Sequence, residues 1–157
     1  MIFEKATVDD ISKLVTLRIA YLEEDDGVMD DDVILSIKTN LPDYFVKHLN
    51  NDITAYVARN EQEIVACAFL LVVEKPMSPA FITGKTGTVL NVYTHPNHRH
   101  KGYAKCLMKM LLSDAVDKSI SLIELKATED GYNLYKSLGF EDMVTKYHLM
   151  KWHNNMV

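Results

Sequence analysis

The chain of 157 residues has the length of one domain, is 48% hydrophobic and 25% charged, and sets 17 basic against 22 acidic side chains for a net charge of −5. About two-thirds of the unfolded surface is buried at such a length, so no disulfide or metal is needed to hold a core. The composition excludes wholesale disorder, and the acidic balance lacks the basic footprint of a general nucleic-acid binder.

Residues 2–7 read as a first strand, and Thr7 opens a Thr-x-x-Asp capping box with Asp10. A helix follows on the apolar positions Val8, Ile11, Leu14, Val15, Ile19 and Leu22, ending near Asp26-Gly27. A second helical stretch runs from Asp31 to Leu49, where Pro42 predicts a kink or two short helices. Strands are expected over 53–59 and 63–74, joined by Asn60-Glu61-Gln62; the second is apolar from Ile64 to Val73, as a strand covered on both faces would be. Residues 75–85 hold Pro76, Pro79 and Gly84 and form a loop before a strand over 86–94. A third helix spans Lys101 to Lys118, with Ala104, Leu107, Met108, Leu111, Leu112 and Ala115 on one face. A strand over 120–127, a short helix over 129–138 capped by Gly139, and one or two strands between Phe140 and Lys151 complete the chain. No repeat or linker divides it, so a single domain over 1–157 is expected, with a mixed α/β sheet and helices on both faces.

Cys67 and Cys106 make no disulfide framework and read as two buried thiols in a reducing compartment. Met1 to Lys5 lacks the order of a signal peptide, and the longest apolar run is too short to span a bilayer. A soluble, cytoplasmic protein with no membrane and no nucleic-acid partner is expected.

The segment from Val89 to Ala104, VLNVYTHPNHRHKGYA, carries the chemistry. A strand ends at Thr94, a short loop from Arg99 to Gly102 follows, and a helix begins. The first turn of a helix leaves backbone N–H groups unpaired and its dipole favours an anion. Gly102 removes a Cβ where a phosphate would approach the backbone, Ala104 is small, and Arg99 and Lys101 add positive charge. The same residues are also compatible with an ordinary loop and one helix-starting glycine.

Arg99-x-x-Gly102-x-Ala104, after a strand ending Thr94-x-Pro96, resembles the acyl-coenzyme A binding motif of the GNAT acyltransferase superfamily. Leu134-Tyr135-Lys136-Ser137-Leu138-Gly139-Phe140 is similar to the family's Leu-Tyr-x-x-x-Gly-Phe signature, in the family's order and separation. The sharp part of the likeness covers about residues 86–140. It implies a GNAT-like fold, a central and mostly antiparallel sheet flanked by helices on both faces, and transfer of an acetyl group from acetyl-coenzyme A to a primary amine of a small molecule or peptide. It further implies that Val92, Tyr93 and Thr94 pair with the pantetheine arm, and that Arg99, His100, Lys101, Gly102, Tyr103 and Ala104 hold the pyrophosphate. A backbone N–H near Val92 would polarise the thioester carbonyl as an oxyanion donor does.

Tyr135 matches the family's general acid: a phenol of pKa ~10 can protonate a departing thiolate of pKa ~8.5–9. Core packing is the other reading of Tyr135, with Tyr93 and Tyr132 as alternative phenols. His100 stands where many relatives have glycine, and so must take a conformation glycine would adopt more easily. Thr128 stands near a family asparagine, whose coenzyme contact is not carried over. Asn91 leaves the motif strand without an acid, so water relayed by backbone carbonyls is the expected base. Glu23 to Asp32 holds seven acids in ten residues. It reads either as a patch attracting a cationic acceptor or as a solvated loop whose charge favours the next helix's start. A non-catalytic acyl-coenzyme A module, or transfer of another acyl group, are the alternative functions. A homodimer is expected from the resemblance.

Gly84-Lys85-Thr86 is not a P-loop, because Pro79 stands where the motif needs glycine. His95, His98 and His100 cluster without a cysteine or acid, so no metal is expected.

Overall fold

The computed structural model describes residues 1–156. They fall into two compact units, one ending at Lys126 and one beginning at Ala127. The first contains β1 (Ile2–Lys5), α1 (Ile11–Asp26), α2 (Asp31–His48), β2 (Ile53–Asn60), β3 (Glu63–Glu74), β4 (Lys85–Thr94), α3 (Tyr103–Asp117) and β5 (Leu122–Glu124). The strands form one sheet in sequence order, antiparallel from β1 to β4 and parallel between β4 and β5.

Period-2 alternation sorts the strand residues between two layers. Ala55 and Val57 of β2 and Cys67 and Phe69 of β3 share a buried cluster with Leu14, Val15, Leu17 and Ile19 of α1 and Phe45 of α2. On the opposite face α3 buries Leu107, Met108 and Leu111, and Tyr56 reaches across from β2 to donate its hydroxyl hydrogen to Asp114 at 2.8 Å. Burial and the Asp114 carboxylate raise the Tyr56 pKa, keeping that phenol a donor.

The capping residues at the entry to α1 do more than end a helix. Asp10 accepts from the Thr7 N–H at 3.0 Å and from the Arg59 guanidinium, which also donates to Glu4 at 2.6 Å. Burial pushes the Asp10 carboxyl up, but the Thr7 and Arg59 hydrogen bonds outweigh it and hold the pKa below the usual value. Asp10→Ala is therefore expected to cost roughly 2–3 kcal/mol, since it leaves a largely buried guanidinium with Glu4 alone and removes a cap. A group with a depressed folded pKa stabilises fully above its unfolded pKa of ~3.9 and loses that contribution as pH falls through the folded value. Urea titrations should show the loss at neutral pH and a shallower acid limb in the variant.

Several boundaries differ from expectation for local reasons. Val8 lies in a 3-10 turn before α1 and is exposed, not on the apolar stripe. α2 runs unbroken through Pro42. The ring removes only its own N–H donor, Thr39 and Asn40 bond back to the Leu35 and Ser36 carbonyls, and Phe45 beyond it is anchored edge-on against Phe69. β5 is limited to three residues, because Ser119 takes a left-handed φ of 56° and the Ser119 and Ile120 N–H groups close the end of α3.

Cys106 is exposed on α3 rather than buried; Cys67 is the buried thiol, its pKa pushed up to about 12 by burial.

The second unit holds α4 (Glu129–Ser137), whose Thr128 side chain accepts from the Gly131 N–H at 3.2 Å. Among the described residues no strand follows α4, so the strands expected between Phe140 and Lys151 are not formed. Val144, Tyr147, Leu149 and Trp152 are spaced three, two and three residues apart, which puts them on no single face of a strand, and these side chains stay exposed. Among the described residues no helix is long and apolar enough to cross a membrane.

Candidate active site

The centre of the site is a break in β4. Cys67 of β3 pairs with Tyr93 and Phe69 with Leu90, so two β4 residues, Asn91 and Val92, oppose one β3 residue, Ala68. This is a β-bulge, which lifts backbone groups out of the ladder and bends the strand. Its pivot is Asn91 at φ 52°, a left-handed conformation that asparagine tolerates better than most residues. Asn91 is buried, and its side chain is held from two sides: Nδ2 donates to the Cys67 sulfur at 3.3 Å, and Oδ1 accepts from Arg18 Nη1 of α1 at 3.2 Å.

β5 accompanies β4 only from Thr86 to Thr88. From Val89 to Thr94, β4 is paired with β3 on one side and has no strand partner on the other among the described residues. Val92, Tyr93 and Thr94 thus lie on an open strand edge, which can receive an extended chain through main-chain hydrogen bonds. The edge leads through the turn Pro96–His98 into the loop before α3.

That loop begins with Arg99. Its Nε donates to the Thr94 carbonyl at 2.9 Å, Nη2 donates to Glu24 at 2.5 Å, and the guanidinium lies 5.9 Å from the Tyr93 ring centroid. Arg99 therefore pins the end of β4 to the acidic end of α1. His100 has φ 60°, the left-handed conformation its position demanded. Gly102 has φ 79° and ψ 9° and caps α3, which is why the helix starts at Tyr103 and not at Lys101. A Cβ on Gly102 would meet nothing within 4 Å, so the cradle above it is open. Lys101 is exposed, Ala104 is half-buried, and the Tyr103 ring packs edge-on against Phe3 of β1 at 5.9 Å. The first-turn amides of α3, the small residues and the lysine charge together suit a pyrophosphate.

The phenols are divided between the units. Tyr93 is buried on β4, its pKa raised by burial and by Glu24. Tyr135 is buried on α4, with its ring edge-on to Phe140 at 5.9 Å. Gly131, one turn earlier, makes room for that ring: a Cβ there would stand 2.9 Å from Tyr135 Cε2. Tyr132 donates its hydroxyl hydrogen to Asp142 at 2.8 Å, a bond that raises its pKa.

The acidic segment has been put to structural use in part. Glu24 serves Arg99, Asp25 accepts from the Tyr21 hydroxyl at 3.3 Å, and Asp31 and Asp32 sit in the first turn of α2, where the helix dipole favours them. Sequence reasoning missed Arg18 and the bulge at Asn91. The signals were there: Arg18 stands four residues from both Leu14 and Leu22 on an otherwise apolar stripe, and Asn91, a poor strand former, interrupts an apolar run.

A family model described as an acetyltransferase (GNAT) domain matches residues 51–142. Among solved structures, a predicted acetyltransferase from Clostridium acetobutylicum, crystallised with acetyl-CoA, is similar at 31% identity over 95% of each chain, with a TM-score of 0.82. A GCN5-related N-acetyltransferase from Ralstonia eutropha shares the fold at 23% identity, covering 95% of this chain and 97% of its own, with a TM-score of 0.76. So does a ribosomal-protein-alanine N-acetyltransferase from Brucella melitensis, at 23% identity over 96% of this chain and 100% of its own, with a TM-score of 0.68. No protein of curated function matches the chain.

Proposed function

Because this chain belongs to the GNAT acetyltransferase family, and is therefore an acyl-coenzyme A-dependent acetyltransferase, we propose that its acceptor is a primary amine of a small molecule or peptide. One juxtaposition supports the donor half of this reading: an open strand edge, bulged at Asn91 and Val92, that runs into a glycine-opened helix start at Gly102. An extended thioester with a phosphate-bearing tail matches both ends of it. The amine follows the acceptors of the GNAT family.

In this reading Val92, Tyr93 and Thr94 bond the pantetheine arm through their main chain, and the loop from Arg99 through His100, Lys101, Gly102, Tyr103 and Ala104 holds the pyrophosphate. Arg99 acts mainly by fixing the loop to β4, since its guanidinium already serves Thr94 and Glu24. The Val92 N–H polarises the thioester carbonyl. The amine arrives as an ammonium and gives one proton to water. Its nitrogen lone pair then attacks the thioester carbon, the C–S bond breaks, and the amide forms as nitrogen gives up its second proton. The thiolate takes a proton from Tyr135, whose phenolate is re-protonated from solvent. One amide, one thiol and one released proton result, and no covalent enzyme intermediate is needed. Holding both reactants in one cleft supplies much of the rate.

We assign the protein to the cytoplasm as a homodimer and treat 1–157 as one functional domain. Two free thiols fit a reducing compartment, and the exposed Val144, Tyr147 and Leu149 fit burial by a second copy. Titration calorimetry with acetyl-coenzyme A, beside ATP, followed by coenzyme A release with an amine panel, tests the function. Saturable binding of acetyl-coenzyme A and amine-dependent release are expected. Binding without release on any amine would overturn the choice of acceptor.

A further inference from the structure

Arg18 is a half-buried cation on the core-facing side of α1, where an unanswered charge is costly. Among the described residues its partners are neutral groups: Nη1 donates to Asn91 Oδ1 at 3.2 Å, and the guanidinium lies 5.6 Å from the Tyr21 ring centroid. Among the described residues no carboxylate forms a salt bridge with Arg18, although the chain has more acids than bases. Of the four acids at the end of α1, Asp25 accepts from Tyr21 and Glu24 from Arg99, and neither Glu23 nor Asp26 forms a salt bridge with Arg18.

Arg18 also lines an open cavity of about 420 Å³ between α1 and α2, whose other walls include Leu22, Ile37, Asn40, Leu41 and Tyr44. That volume is within the range of small-molecule sites. The walls are largely apolar and the one charge is positive. An arginine fork has five N–H donors; Asn91 takes one, which leaves donors for a two-pronged contact with a carboxylate. Through Asn91, Arg18 is one residue from Val92, the position assigned to polarising the thioester.

Resting on the amine-acceptor reading above, we infer that the acceptor carries a carboxylate as well as its amine, that Arg18 binds this carboxylate, and that an apolar side chain lies against Leu22, Ile37, Leu41 and Tyr44. The acceptor class is that of apolar amino acids. Arg18 both selects the substrate and holds the bulge that presents Val92.

Coenzyme A release is measured with phenylalanine and leucine, each beside the matching decarboxylated amine (phenethylamine, isoamylamine) and the matching amide, with rates corrected for the neutral fraction of each amine. A charged hydrogen-bonded contact of this kind sets the expected preference, in kcat/KM, at about 10- to 100-fold for the amino acid over both comparators. Arg18→Gln should bring that ratio close to one, chiefly by raising KM for the amino acid, and Arg18→Lys should restore part of it. Equal or better acetylation of the decarboxylated amines by the unaltered enzyme would overturn the inference and leave the amine reading standing. Acetylation of none of the six, with acetyl-coenzyme A bound, would overturn the inference, and release with no member of the wider amine panel would overturn the amine reading with it. A ratio unchanged in Arg18→Gln would also overturn it, reducing Arg18 to a support for the bulge. Should Arg18→Gln fail to fold, the unaltered enzyme and Arg18→Lys decide the matter by the same ratio.

Discussion

Tyr135→Phe is expected to lower kcat by roughly 100-fold, the lower end of what a positioned general acid contributes, while acetyl-coenzyme A binds as before. The substitution removes one oxygen and keeps the ring. The ring is what the second unit holds, edge-on to Phe140 and over the gap left by Gly131, so the variant should fold and a fall in turnover should report on the hydroxyl. A phenol works as an acid only while it is protonated. The rate of the unaltered enzyme should therefore drop on the alkaline side of its pH profile, and that drop should vanish in the variant. Steady-state rates across pH, with calorimetry for the coenzyme, check both halves. Full turnover of Tyr135→Phe at every pH would remove Tyr135 from the mechanism and turn attention to Tyr93, whose raised pKa keeps it protonated at neutral pH.

Gly102→Val should act on the other half of the site, weakening acetyl-coenzyme A by about 10- to 100-fold. Two costs add. An L-residue held at φ 79° pays roughly 1–2 kcal/mol, and a β-branched one fits worst. The new side chain also fills the open space where the phosphate would approach. Because nothing in the protein lies within 4 Å of the added Cβ, the fold has little to lose beyond local strain, and the defect should show in the dissociation constant more than in the melting temperature. Gly102→Ala should fall between. Unaltered affinity in Gly102→Val would place the phosphates elsewhere.

Much of this architecture was legible because it rests on local rules. The continuous apolar run of β3, the capping residues at Thr7 and Thr128, and glycine at the start of α3 each state their own conformation. His100 was legible as a residue forced into a glycine-like conformation, and it takes φ 60°. The failures share a cause, which is that the answer lay in a distant partner. α2 is one continuous helix across Pro42 rather than two short ones, and Phe45 beyond it packs on Phe69, a residue 24 positions away in sequence. The tail carries enough apolar residues for a strand yet forms none among the described residues. Cys106 sits among apolar letters but on the outer side of α3. Arg18 and Asn91, 73 positions apart, acquire meaning only when the fold joins them. The loop that carries the family motif was visible in the sequence; the bulge beside it was not, because a bulge is a property of two strands in register.

The open edge of β4 also bears on solubility. A bare strand edge is a template for pairing with another molecule's sheet and a common start of aggregation. Here the bare stretch is only Val89 to Thr94, and it begins where β5 leaves, so one end of the gap is shut by the Thr86–Thr88 pairing. The bend at Asn91 further spoils the flat register that a second sheet would need. A single thin chain can still lie along such a notch, whereas a foreign sheet edge meets a curved and interrupted ladder. The irregularity that exposes backbone groups to a ligand therefore also discourages the protein from polymerising through them.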